Sequence, residues 1–127
     1  MKVFLTFFLF VSLAFQANAQ ESKHEVLDKA TFKSSIENNT VALVDVRTAS
    51  EFEAGHIDNA KNIDFLDTAT FNSKLQTLDK SKPVYIYCRS GNRSNKAAEV
   101  MKNSGFTTIY ELEGGYFNWN NEDTIED

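Results

Sequence analysis

Val84-Tyr85-Ile86-Tyr87-Cys88-Arg89-Ser90-Gly91-Asn92-Arg93-Ser94 is the stretch whose reading decides the fold. Four apolar, β-branched or aromatic residues read as a strand buried on both faces. The run ends on the only cysteine of the chain. Small and polar residues with one glycine follow, and Lys96-Ala97-Ala98-Glu99-Val100-Met101 then reads as a helix. A strand, a tight loop and a helix start place the thiol at the carboxyl end of a strand, where open α/β sheets bind ligands.

The flanking sequence repeats this alternation. Upstream, Val41 to Val46 is a second buried strand, with Asp45 as its polar exception near the C-terminal end. Downstream, Thr107 to Leu112 is a third. Val26-Leu27 and Ala60 to Ile63 are candidates for short strands, while Ser22 to Glu25 is polar and expected to fray. Helices are expected over Lys29–Glu37 behind Asp28, and over Thr68 to about Leu78 behind Asp67. A further helix runs from about Arg93 to Asn103 and stops at Gly105. Ser50 to Gly55 reads as one helical turn capped by Ser50. Gly114-Gly115 is a turn, and Tyr116 to Trp119 opens a short last helix. Pro83 suits the first residue of a strand, where its missing N–H matters least. The pattern predicts an α/β fold: a mostly parallel sheet of about five strands covered by helices on both faces.

The chain has 127 residues, enough for one domain. Lys2, an apolar run from Val3 to Phe15 and Ala17-Asn18-Ala19 have the layout of a secretory signal peptide. Residues 1–19 are therefore expected to be a cleaved leader and 20–127 a single domain with a loose acidic tail over 120–127. The run is too short to span a bilayer, so no membrane span is expected after cleavage. The net charge of -5 argues against sequence-independent nucleic-acid binding, which needs basic surface. Exported proteins pair cysteines into disulfides. Cys88 has no partner in the chain, so it is a buried apolar residue or a reactive thiol.

Position favours the reactive thiol. A helix N-terminus offers unpaired backbone N–H groups and the positive end of the helix dipole, and a loop curling into it forms an anion-binding nest. Arg89, Arg93 and Lys96 add positive charge, and Gly91 lets the backbone turn. An anionic sulfur and an anionic substrate are both favoured there. Phosphoryl transfer and sulfur transfer fit a cysteine in such a cradle. Phosphatase loops place five residues between cysteine and arginine. Here only Arg89, Ser90, Gly91 and Asn92 separate Cys88 from Arg93, and position 94 is serine. The tighter ring suits one extra sulfur better than a tetrahedral phosphate.

The sequence resembles the single-domain rhodaneses, which are thiosulfate or persulfide sulfurtransferases. Leu43-Val44-Asp45-Val46-Arg47, Glu51-Phe52, Gly55-His56-Ile57 and Ala60-Lys61-Asn62-Ile63 are similar to the family's first signature. Tyr87 to Ser94 with Ala97-Ala98 is similar to its active-site loop and helix, and Gly105-Phe106, Leu112-Glu113-Gly114-Gly115 and Trp119 to its closing segment. The resemblance runs from about Val26 to Trp119. It implies a rhodanese-like three-layer α/β/α fold, with Cys88 as the nucleophile that carries a persulfide. It implies that Arg89, Ser90, Gly91, Asn92, Arg93 and Ser94 bind substrate, and that Asp45, Arg47, Glu51 and His56 support the site. Arg47 and Glu51, four apart, could pair if their turn is helical. Neither metal nor organic cofactor is implied. The implied partners are a small anionic sulfur donor and a thiol acceptor, with a reducing partner for a thiol held in an oxidising compartment. A non-turnover sulfur carrier or binding module stands as an alternative, and a small phosphatase or arsenate reductase as a more distant one.

Overall fold

The structure is a computed structural model and describes residues 21–121; the leader and the end of the acidic tail lie outside that range. Strands and helices alternate: β1 (Lys23–Leu27), α1 (Lys29–Glu37), β2 (Ala42–Asp45), α2 (Ala49–Ala54), β3 (Lys61–Asn62), α3 (Thr68–Leu75), β4 (Val84–Tyr87), α4 (Asn92–Asn103), β5 (Thr108–Leu112) and α5 (Gly115–Asn120). The five strands form one sheet in the order β1-β5-β4-β2-β3, and every pairing is parallel. Among the described residues, no helix is long and apolar enough to cross a membrane.

The central strand β4 explains the layers. Successive side chains of a strand point to opposite faces. Val84, Ile86 and Cys88 pack with Val44, Ile109, Phe71 and Leu75 of α3, and Ala97, Ala98 and Met101 of α4. Tyr85 and Tyr87 face the other way, onto Phe32 and Ile36 of α1, Leu43, Leu112, and Tyr116 and Trp119 of α5. Fully buried Ile86 and Met101 anchor the first core. Truncating either to alanine would cost about 2–5 kcal/mol.

The element ends show where local chemistry acts. Asp28 accepts the Thr31 N–H at 2.8 Å and starts α1. Helix α4 ends in a Schellman arrangement: Gly105, at φ +101°, donates to Lys102, and Phe106 donates to Met101. Three expectations are corrected. The cap of α2 is Thr48, not Ser50; Thr48 and Glu51 form a reciprocal capping box, the Thr-x-x-Glu pattern that marks a helix start. Helix α3 stops at Leu75, with residues to Leu78 in turns. The polar segment expected to fray is β1 from Lys23 onward, because an edge strand needs apolar residues on one face only.

Candidate active site

Cys88 lies one residue past β4 and is 1% exposed. Helix α4 begins at Asn92, and Gly91 serves as its N-cap in a left-handed conformation at φ +111°. That turn brings the Gly91 N–H to 3.1 Å from Cys88 Sγ. A donor aimed at sulfur favours the anion over the neutral thiol. The Gly91 carbonyl is taken up by the Asn95 N–H at 3.1 Å, the first hydrogen bond of the helix. Arg89, Ser90 and Asn92 are exposed around the thiol, Arg93 is half-buried and Ser94 is fully buried.

The loop is clamped from behind. Tyr116 N–H donates to the Cys88 carbonyl at 2.8 Å, and Phe117 N–H donates to the Arg89 carbonyl at 3.0 Å. In a trans peptide the C=O and the following N–H point in opposite directions. Fixing these two carbonyls toward α5 therefore turns the N–H groups of Arg89 and Ser90 away from it. Gly115 makes this approach possible. A Cβ there would stand 2.5 Å from the Cys88 carbonyl oxygen, and its φ of +59° disfavours any side chain.

Two ion pairs brace the front. Asp45 and Arg47, both nearly fully buried, pair at 2.6 Å, and Arg47 Nη2 also donates to the Gly55 carbonyl at 2.7 Å. The guanidinium lies 4.2 Å from the centre of the Tyr116 ring. Burial opposes the charge on Arg47, but the hydrogen bonds and charge of Asp45 outweigh it and raise its pKa. Arg93 forms a two-pronged bridge to Glu51, at 2.6 and 2.9 Å. That bridge holds the Glu51 carboxyl down to about 2, against the desolvation that would raise it. The expected Arg47–Glu51 pair is thus corrected: Arg47 turns to Asp45 two residues back, and Glu51 reaches across to α4. The loop arginine enters the site with most of its charge already compensated.

His56 stands apart from the cysteine loop. Its Nδ1 is 2.8 Å from the Phe52 carbonyl, and its ring stacks on Phe52 with centroids 3.7 Å apart. It lines a cleft of about 720 Å³ with Ile36, Val41, Asp58 and Trp119, which includes none of the Cys88 loop. A cleft of about 640 Å³ does border the loop, lined by Arg47, Glu51, Arg89, Tyr116 and Phe117. This smaller cleft, unlike the larger one, reaches the cysteine loop, through Arg89.

Sequence reasoning missed three parts of the site. One is the α5 clamp, whose signal is Gly114-Gly115 followed by a helix. The second is Tyr87, whose buried hydroxyl accepts the Ile57 N–H at 3.0 Å and whose pKa is raised by burial. The third is Glu111, 2% exposed, which accepts from Ser94 Oγ at 2.6 Å and meets His24 Nε2 at 2.5 Å. A glutamate inside an apolar strand was the available signal, as Asp45 was in β2.

Comparisons with known proteins agree with this geometry. The family model described as Rhodanese-like domain matches residues 28–122. Thiosulfate sulfurtransferase GlpE of Pseudomonas fluorescens is 35% identical over 77 residues, which are 61% of this chain and 68% of that protein. The tRNA uridine(34) hydroxylase of Cytophaga hutchinsonii is 34% identical over 103 residues, 80% of this chain but 33% of that protein. A rhodanese-like domain protein from Staphylococcus aureus superposes with a TM-score of 0.68 at 32% identity, covering 78% of this chain and 94% of that one. The chain spans 26% to 68% of the length of five curated relatives it matches.

Proposed function

Because this chain belongs to the rhodanese-like domain family, we propose that it is a sulfurtransferase that carries a sulfane sulfur on Cys88. The observation that carries the reading is the Gly91 N–H aimed at Cys88 Sγ at 3.1 Å, in a loop only four residues wide between Cys88 and Arg93. The Cys88 thiolate attacks the outer sulfur of thiosulfate. A bond forms between Sγ and that sulfur, the S–S bond of thiosulfate breaks, and its electron pair leaves on sulfite. Cyanide or a thiolate then attacks the outer sulfur of the persulfide and the Cys88 thiolate returns. This is covalent catalysis of the ping-pong kind. A persulfide donor enters by the same first step, with a thiolate leaving in place of sulfite. Arg89 steers the anion from the rim, the backbone N–H groups of the loop hold the sulfur, and Arg93 fixes the loop through Glu51.

The test is direct. Incubation with thiosulfate adds one sulfur to the intact mass of the wild type and none to Cys88→Ser, and cyanide then releases thiocyanate. No adduct and no thiocyanate sinks the proposal. The burial of Cys88, at 1% exposure, supports a second reading as a slow sulfur carrier, which an adduct with negligible turnover would favour. Aryl phosphate hydrolysis lost in Cys88→Ser would point instead to the phosphatase class.

We also propose that the domain works outside the cytoplasm, on the strength of the leader-like residues 1–19. A reducing partner would keep a lone reactive thiol from oxidising there. Fractionation of cells carrying a C-terminal tag tests the location: a tagged protein left in the cytoplasm at full length rules it out.

A further inference from the structure

We propose that Glu111 holds the Cys88 proton while the thiolate works, receiving it through Ser94 and returning it at the end of the cycle. The inference rests on the sulfurtransferase reading for its purpose, but not for its test. Cys88 Sγ lies 3.5 Å from Ser94 Oγ, with the thiol as donor. Ser94 has one hydroxyl hydrogen and two acceptors in reach: Glu111 Oε1 at 2.6 Å and the Gly91 carbonyl at 3.2 Å. The shorter bond to the carboxylate claims the hydrogen. The oxygen lone pairs are then left for the thiol. The other oxygen, Oε2, meets His24 Nε2 at 2.5 Å and Asn95 Nδ2 at 3.4 Å. Ser94 and Glu111 are 0% and 2% exposed, so water does not mediate between them.

Charge makes the transfer worthwhile. Glu111 sits two hydrogen bonds from Sγ, and placing a negative charge on both groups at once is opposed by like-charge repulsion. Moving the proton inside the cluster avoids this. The S–H bond breaks as a hydrogen joins Ser94 Oγ, and the original Ser94 hydrogen passes to Glu111 Oε1. The products are a thiolate, an intact serine and a neutral carboxyl, with the cluster's charge unchanged. The groups facing this cluster are His24 from β1, Asn95 from α4 and Cys88 at the end of β4. Glu99 stands behind His24 at 3.9 Å, and the charge of Arg93 is coupled to Cys88 from the other side. Glu111 and His24 are positioning residues, since they reach the sulfur only through Ser94.

The single cysteine makes the test clean: the ultraviolet absorbance of the thiolate is followed against pH, with Cys88→Ser as the blank. Two groups sharing one proton titrate in two macroscopic steps. The wild type is expected to gain absorbance in two steps, separated by a plateau of at least about one pH unit. Glu111→Gln keeps the shape but cannot take a proton, and its curve collapses to one step. His24→Gln keeps both steps. A single step in the wild type, two steps in Glu111→Gln, or their loss in His24→Gln each overturns the proposal. Should Glu111→Gln fail to fold, infrared spectra decide on intact chains: across the plateau a neutral carboxyl stretch is present in the wild type and absent in Cys88→Ser. The reverse pattern overturns it. Neither readout needs sulfur transfer, so failure here is separable from failure of the proposed function.

Discussion

Tyr116 holds Cys88 by its backbone: the Tyr116 N–H donates to the Cys88 carbonyl at 2.8 Å, across Gly115. The cysteine loop is therefore fixed by the last helix as much as by the helix it opens. Gly115→Ala puts a Cβ 2.5 Å from the Cys88 oxygen at a φ of +59°. The left-handed backbone alone costs about 1–2 kcal/mol. The clash adds to that or breaks the clamp. A lower Tm in calorimetry, with persulfide formation reduced by about tenfold or more, is the expected outcome. A variant with wild-type persulfide formation would show that the clamp is dispensable.

The Glu51–Arg93 bridge makes stability fall in acid. The Glu51 carboxyl has an ordinary value of 4.5 and is held at about 2 in the folded protein. A lowered carboxyl stabilises the fold above its unfolded value and loses that contribution as pH falls toward its folded one. Denaturant unfolding should therefore weaken between about pH 4.5 and pH 2, and less so in Glu51→Gln. Equal slopes for both proteins in that window would remove the bridge as the cause.

Asp45→Asn leaves the guanidinium of Arg47 buried without its carboxylate. Breaking one side of a buried pair costs about 3–5 kcal/mol. Urea denaturation measures this loss, and Asp45→Asn with Arg47→Met recovers part of it. A single variant within about 0.5 kcal/mol of wild type would mean the pair is not felt.

Arg89 is exposed, and among the described residues its side chain forms no ion pair of the kind that occupies Arg47 and Arg93. Arg89→Ala should leave stability within about 0.5 kcal/mol. Its effect belongs to the encounter with an anion: a KM for thiosulfate raised several-fold, with kcat nearly unchanged. Salt screens such steering, so the difference should shrink between low ionic strength and about 0.15 M. An effect on kcat alone would move Arg89 into the chemistry.

The layered fold was legible because β2, β4 and β5 are short, apolar and separated by helical patterns, which leaves few alternatives. The edge strand was partly legible. Only Val26 and Leu27 advertise it, since Lys23, His24 and Glu25 read as solvent-exposed chain until β5 supplies a partner. Cys88 and its loop stood out through a single residue type at a strand end. The partners of that loop did not. Glu51 to Arg93, Tyr116 to Cys88 and Ser94 to Glu111 join positions 42, 28 and 17 residues apart. Local spacing rules reach only three or four residues, so Arg47 and Glu51 looked like neighbours when Arg47 pairs with Asp45 two residues back and Glu51 with distant Arg93.

The α5 clamp has a consequence in time. Cys88 leaves the ribosome 28 residues before Tyr116. At about 5–20 residues per second that gap is a few seconds of synthesis. During it every residue of the cysteine loop has been made while α5, which bonds its carbonyls, and β5, which brings Glu111, are still to come. A chain halted before Gly114 would carry every residue from Cys88 to Ser94 and still not own a finished site. The sulfur is made early and its surroundings are completed last.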